Sequence, residues 1–199
     1  KLRRFFEAYA LSSAGVVQDK TLFETAGLNR KTAIGYEQLL VNLMVVERVH
    51  PWISNRLKRL IRSPKRYVID PALIAGILGV TTAAVLRDGD LLGRFLDTFV
   101  TAQLRAELSV SELRPRLYHL RQEQGRHEVD LLLEYAAGRI IGIEVKADAA
   151  PRRDAAKHLI WLRDQLGERF LEGIVLHTGP RVYTLDERVL AVPISTLWA

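Results

Sequence analysis

The chain has 199 residues, 48% of them hydrophobic and 26% charged, a balance that supports a buried core and excludes a disordered or low-complexity polymer. Lys and Arg number 29 against 23 Asp and Glu, a net charge of +6, and there is no cysteine. A disulfide scaffold, a thiolate zinc site and a cysteine nucleophile are thereby excluded. The first residue is Lys1, and a helical pattern starts at once, which leads to the expectation of further sequence upstream. The longest uncharged stretch, Pro71 to Leu86, is shorter than the roughly 20 apolar residues a spanning helix needs and reads as core. No signal-peptide pattern is present, so the expected location is the cytoplasm, with no membrane partner.

The charge is unevenly placed. Residues 1 to 89 hold 14 basic and 7 acidic side chains, whereas residues 90 to 199 hold 15 and 16. The excess is therefore all N-terminal. Arg48 to Arg66 carries seven basic residues and no acid, a composition that attracts polyanions through counterion release. A solvated loop, or a docking face for an acidic partner, would carry the same charge.

The first elements follow from periodicity. Leu2, Phe5, Phe6, Tyr9 and Ala10 sit at helical spacing, and Thr21 to Ala26 reads as a short helix ended by Gly27. A third helix is expected from about Arg30 to Val45 with Asn29 as its N-cap. Ala33, Tyr36, Leu40 and Leu43 would face inward, and Arg30, Lys31, Gln38 and Asn42 outward. Short strand-like runs at Met44 to Val49 and Tyr67 to Ile69 flank the basic stretch, completing the outline of a winged helix over residues 1–75. The nucleic-acid contacts expected of it are Arg30, Lys31, Arg56, Lys58, Arg59, Arg62, Lys65 and Arg66.

Residues 76–199 read as a second, mixed α/β domain. Asp90 to Leu108 forms a long amphipathic helix with Leu92, Phe95, Phe99, Ala102 and Ala106 on its apolar stripe. Strands are expected at Leu117 to Arg121, Val129 to Tyr135 and Arg139 to Ala147, then a crossover helix from Arg152 to Leu166 that stops at Gly167. Strands near Gly173 to His177 and Val182 to Leu185 follow, with a closing apolar run from Val189 to Leu197.

The chemistry lies in the hairpin. A three-residue loop at Ala136 to Gly138 pairs Tyr135 with Arg139 and Asp130 with Glu144, which segregates the odd-numbered apolar residues, whereas a two-residue turn scrambles them. The first register sets two carboxylates about 5 Å apart at Cβ, with Lys146 on the same face. Paired carboxylates suit a hard divalent cation such as Mg²⁺, and a nearby Lys can orient or help deprotonate water, the minimal kit for phosphodiester hydrolysis. A solvent-facing hairpin with an incidental salt bridge has the same spacing. His158 reads as packed or partly exposed, and five scattered His suggest no zinc site.

The array Glu128-Val129-Asp130 and Gly142-Ile143-Glu144-Val145-Lys146, behind a long helix and ahead of a crossover helix, resembles the PD-(D/E)XK nuclease core. More broadly, Leu28 to Leu43, Ser63 to Tyr67 with Asp70, Gly93 to Leu104, Glu128 to Lys146 and Val192 to Trp198 resemble the C-terminal region of a family of bacterial and archaeal AAA-type ATPases. There a winged helix and a nuclease-like domain of unknown function follow the ATPase module. The resemblance implies a winged helix followed by a restriction-endonuclease-like domain with a mixed sheet, with DNA and the chain's own upstream ATPase domain as partners. It also implies a further acid on the helix before the sheet, where Asp97 stands in place of Glu, while Gln103 replaces another Glu. Such a module is either a Mg²⁺-dependent nuclease with Asp130, Glu144, Lys146 and Asp97 at its site, or a catalytically inactive nucleic-acid-binding or protein-docking regulatory domain. No Gly-x-x-x-x-Gly-Lys-Ser/Thr sequence occurs, so no residue of this chain is assigned to ATP.

Overall fold

Three short helices open the first unit. A computed structural model describes residues 1–52, 63–122 and 126–198, and it divides the chain into two units. Helix α1 (Leu2–Leu11) buries Phe5, Ala8 and Tyr9 at the expected spacing, and α2 (Asp19–Thr25) buries Leu22 and Phe23. Helix α3 (Arg30–Asn42) starts where predicted, with the Asn29 side chain accepting the Thr32 N–H at 2.9 Å. It ends three residues early, however, so Leu43, expected inside, is 60% exposed. Strands β1 (Val46–Val49) and β2 (Lys65–Val68) pair antiparallel with Val46 opposite Val68.

Helices α4 (Pro71–Leu78) and α5 (Thr82–Val85) occupy the stretch expected to be core, but only Ile74 and Val85 are buried there. The chain breaks at Gly79, and each short helix turns one face inward. The long helix α6 (Gly89–Val110) begins in this unit, which extends to Ala102 and so takes in more of the chain than residues 1–75. Its buried residues are Asp97, Thr98, Val100, Thr101 and Leu104, and not the apolar stripe predicted from Leu92 to Ala106. The polar residues are buried because they are partnered. The Thr98 hydroxyl meets the Ser13 hydroxyl at 2.9 Å, and Ser13 Oγ also accepts the Val68 N–H. The predicted stripe is half-buried as far as Ala102, with Phe95 packed against the first unit's core, so hydrophobic periodicity finds part of the inward side and misses the polar residues buried beside it.

The second unit holds an open six-stranded mixed sheet in the order β3-β4-β5-β6-β8-β7. Its strands are β3 (Arg116–Arg121), β4 (Glu128–Glu134), β5 (Ile140–Lys146), β6 (Phe170–His177), β7 (Tyr183–Asp186) and β8 (Val189–Pro193). Strands β3, β4 and β5 form an antiparallel meander, and β6 runs parallel to both β5 and β8. Between β5 and β6, helix α7 (Lys157–Leu166) makes the crossover after a 3₁₀ turn (Arg153–Ala156). Leu159 and Leu162 of α7 pack with Leu132, Ile140, Phe170 and Val175, and Trp52 joins this core. Gly142 makes the close approach possible, because a Cβ there would lie 2.7 Å from Leu159 Cδ2. The chain is thus a mixed α+β protein with a helical N-terminal part, as the sequence predicts. Among the described residues no helix is long and apolar enough to cross a membrane.

Candidate functional site

The β4–β5 hairpin adopts the predicted register. Leu131 pairs with Ile143, Leu132 with Gly142 and Leu133 with Ile141, so the same ladder carried one step further sets Asp130 opposite Glu144. The loop is the three-residue one, with the Tyr135 N–H donating to the Arg139 carbonyl at 2.8 Å and Ala137 at a φ of 60°. Alternation of side chains then places Asp130, Glu144 and Lys146 on the face that carries Gly142, beneath α7.

Local bonds fix these groups. The Val145 N–H donates to Asp130 Oδ2 at 3.0 Å, tying the first carboxylate to the opposing strand. Lys146 Nζ donates to Glu144 Oε2 at 2.7 Å, with the Glu144 side chain buried and Lys146 about one-third exposed. The arrangement presents two oxygen-donor side chains and one cation at the C-terminal end of a parallel strand. Just beyond it, the loops after β5 and β6 interlock. Gly179 donates to His177 Nδ1 at 3.0 Å, and Thr178 donates to the Asp148 carbonyl. A Cβ on Gly179 would fall 1.8 Å from the Ala149 carbonyl oxygen, so no larger residue fits.

Helix α7 adds His158, which the sequence reads as packed or partly exposed and the structure shows half-buried. Burial lowers its pKa, the charges of Lys157, His127 and Lys146 lower it further, and the charge of Asp130 opposes them. Its neighbour His127 stacks on Trp161 with ring centroids 4.0 Å apart, and burial likewise lowers its pKa. The signal available in the sequence was topological, since a crossover helix starts at the C-terminal end of the strand it leaves. Among the described residues no group of three or more His, Asp and Glu gathers as a metal cluster.

Asp97 is in the other unit. Lys65 Nζ donates to its Oδ2 at 2.6 Å and the Tyr67 hydroxyl to its Oδ1 at 3.0 Å. The structure therefore brings together Asp130, Glu144 and Lys146, and assigns Asp97 to an internal ion pair.

The predicted basic contacts divide three ways. Arg30 and Lys31 are exposed on the first turn of α3. Lys65 and Arg66, expected on the surface, are each only 2% exposed. Their charges are met inside, Lys65 by Asp97 and Arg66 by Glu37 at 3.1 Å, by Asp19 and by the Val17 carbonyl. Glu37, a buried acid missed in the sequence, also receives Arg48 at 2.8 Å. Arg56, Lys58, Arg59 and Arg62 lie outside the described residues.

Fold and site together define a two-unit α+β protein whose second unit carries an acid-acid-lysine hairpin at the end of a mixed sheet. A family described as a domain of unknown function, DUF4143, matches residues 92–197, more than half of the chain, and the chain belongs to that family. It is a domain found in AAA-ATPase-associated proteins. A second domain of unknown function, DUF8612, matches residues 1–84. Uncharacterised proteins of Mycobacterium bovis and Mycobacterium tuberculosis are each 29% identical over 192 residues, covering 96% of this chain. The chain spans 41% of the length of these relatives.

Proposed function

We propose that the chain is the DNA-interacting module of a bacterial AAA-type ATPase, and that its second unit hydrolyses phosphodiester bonds with Mg²⁺. The observation that carries this reading is the hairpin register, which sets Asp130 against Glu144 with Lys146 bonded to Glu144 on the same face. The order of helix, antiparallel meander, crossover helix and parallel strand supports it, since that is the order of a PD-(D/E)XK core. So does the position, because open α/β sheets bind ligands beyond the carboxyl ends of their strands.

The donor set fits Mg²⁺, which is commonly held by one or two carboxylates with water completing the shell. Asp130 and Glu144 would hold the ion, which shields phosphate charge and lowers the pKa of bound water. Asp130 is pre-positioned by the Val145 N–H, so little reorganisation is needed on its side. Lys146 keeps its ammonium beside Glu144 and directs it toward an attacking water or the phosphate. In the first unit, three helices followed by a two-stranded ribbon support the winged-helix reading, with Arg30 and Lys31 touching the duplex. ATP hydrolysis belongs to a module outside this sequence, with which this chain acts in the cytoplasm.

The purified chain with Mg²⁺ or Mn²⁺ is expected to nick plasmid DNA, and Lys146→Ala to stop it. An equally active variant, or no cleavage of any substrate with either metal, refutes the enzyme reading. One observation favours a second reading, a catalytically inactive nucleic-acid-binding or docking domain: the third acid of the family pattern, Asp97, is held by Lys65 and Tyr67. That reading predicts DNA binding that needs no metal and weakens steeply with salt.

A further inference from the structure

We infer that α3 reads base edges in the major groove, with Gln38 and Asn42 selecting adenine, an inference that rests on the DNA-interacting reading of the chain. Lys31, Ile34, Gly35, Gln38 and Asn42 are all exposed, and their spacing of three to four residues puts them on one face of the helix. The single acid of α3, Glu37, is turned inward and neutralised by Arg48 and Arg66. The outer face therefore carries cations, amides and the exposed apolar side chains of Ile34 and Leu39, without a carboxylate to repel a polyanion.

Two residues of the face, with Arg30 beside it, weaken the helix they occupy. Arg30 and Lys31 stand in the first turn, where the helix dipole disfavours cations, and that turn contains no acid. Gly35 stands mid-helix, where glycine is unfavourable, yet a Cβ added there would meet nothing within 4 Å. Internal packing thus gives no reason for a bare position. Gly76 and Gly93 stand in equally open space, so what sets Gly35 apart is its place between Lys31 and Gln38, where a missing side chain lets a groove floor come close to the helix backbone.

The amide pair is already ordered. Gln38 Nε2 donates to Asn42 Oδ1 at 2.8 Å, which leaves Gln38 Oε1 as an acceptor and N–H donors on both side chains. That is the pattern adenine N6 and N7 take from a Gln or Asn in the major groove, and Ile34 supplies an apolar contact of the kind a thymine methyl makes.

The test is selection of duplexes from a randomised pool by the full chain, followed by binding measurements over a range of salt. The wild type is expected to enrich an adenine-containing site. Gln38→Ala and Asn42→Ala should each lose at least about tenfold of the discrimination against a scrambled duplex, with the salt slope unchanged. Lys31→Ala should weaken binding to every duplex alike and lower the salt slope by about one. Gly35→Ala should raise the thermal midpoint by about 2–4 °C and still weaken DNA binding. The same change at Gly76, exposed on α4 with equally open space, should raise the midpoint and leave binding alone. Enrichment without a consensus, or a preference that survives both amide variants, overturns the inference and leaves DNA binding standing. No binding to any duplex overturns both, and marks the face as a protein-docking surface.

Discussion

Each unit buries a glutamate to the same degree, Glu37 in the first and Glu144 in the second, both 3% exposed. Their partners differ. Glu37 is enclosed by Arg48 and the fully buried Arg66, so that its charge is balanced inside and locks α3 to the ribbon. Glu144 faces another carboxylate across the hairpin, and the ammonium of Lys146 that bonds it lies about one-third exposed at the sheet's end. A buried charge with complete internal partners holds a fold together, whereas one paired at the rim beside a like charge is a liability that stability alone does not explain.

The largest expected effect separates these roles directly. Glu144→Gln should cut any Mg²⁺-dependent cleavage by at least about a thousandfold, equivalent to about 4 kcal/mol of barrier, while leaving the unfolding free energy within about 1 kcal/mol of wild type. Cleavage measured beside urea unfolding reads both quantities. A strongly destabilised variant would break the comparison, because Glu144 would then be a structural residue like Glu37.

Glu37→Gln should do the reverse. Removing one member of a buried ion network leaves uncompensated charge on Arg48 and Arg66, and such losses typically cost about 3–5 kcal/mol. The measurement is the shift in denaturation midpoint at constant slope. Loss of cleavage without loss of stability would show that the two units are not divided as described.

A middle-sized effect tests how firmly α7 is seated over the site. Gly142→Val should cost about 1–3 kcal/mol by overpacking against Leu159 and Leu162, whose Cδ2 atoms lie 2.7 and 3.5 Å from the position of an added Cβ. Cleavage should fall with it, since the same face carries Asp130, Glu144 and Lys146. Unchanged stability would mean that α7 yields easily and leaves the site its shape.

Period-2 alternation and loop length were enough to read the hairpin, because a one-residue slip would have turned every apolar side chain of β4 and β5 to the wrong face. Asn29 was legible as a cap because its short side chain competes for an N–H that the helix leaves orphaned. Charge was not legible in the same way. Lys65 and Arg66 look like surface residues until Asp97, Glu37 and Asp19, up to 47 positions away, are folded against them. The buried polar stripe of α6 failed to show for the same reason, since Thr98 is acceptable inside only once Ser13 arrives to meet its hydroxyl. Composition places charge in a segment, but only the tertiary fold decides whether that charge faces solvent.

The smallest effect concerns a carboxylate at the edge of the second unit. Hydrogen bonds from Arg163 and Arg153 hold the Asp186 carboxyl at a pKa of about 2, below its ordinary 3.8. The folded form thus favours the ionised state, and its contribution is fully present above the ordinary value. As pH falls from about 4 toward 2, the folded protein takes up a proton later than the unfolded chain does, and the contribution is lost. Thermal midpoints of wild type and Asp186→Asn should therefore differ at neutral pH and converge over that window. Cleavage at neutral pH should be the same in both, because Asp186 ties α7 and the 3₁₀ turn before it to the edge strand through Arg163 and Arg153 and carries no role at the acid-lysine site. A gap that persists unchanged below pH 2 would place the effect in packing, and a loss of cleavage would extend the functional region of this unit from the hairpin to its outer strand.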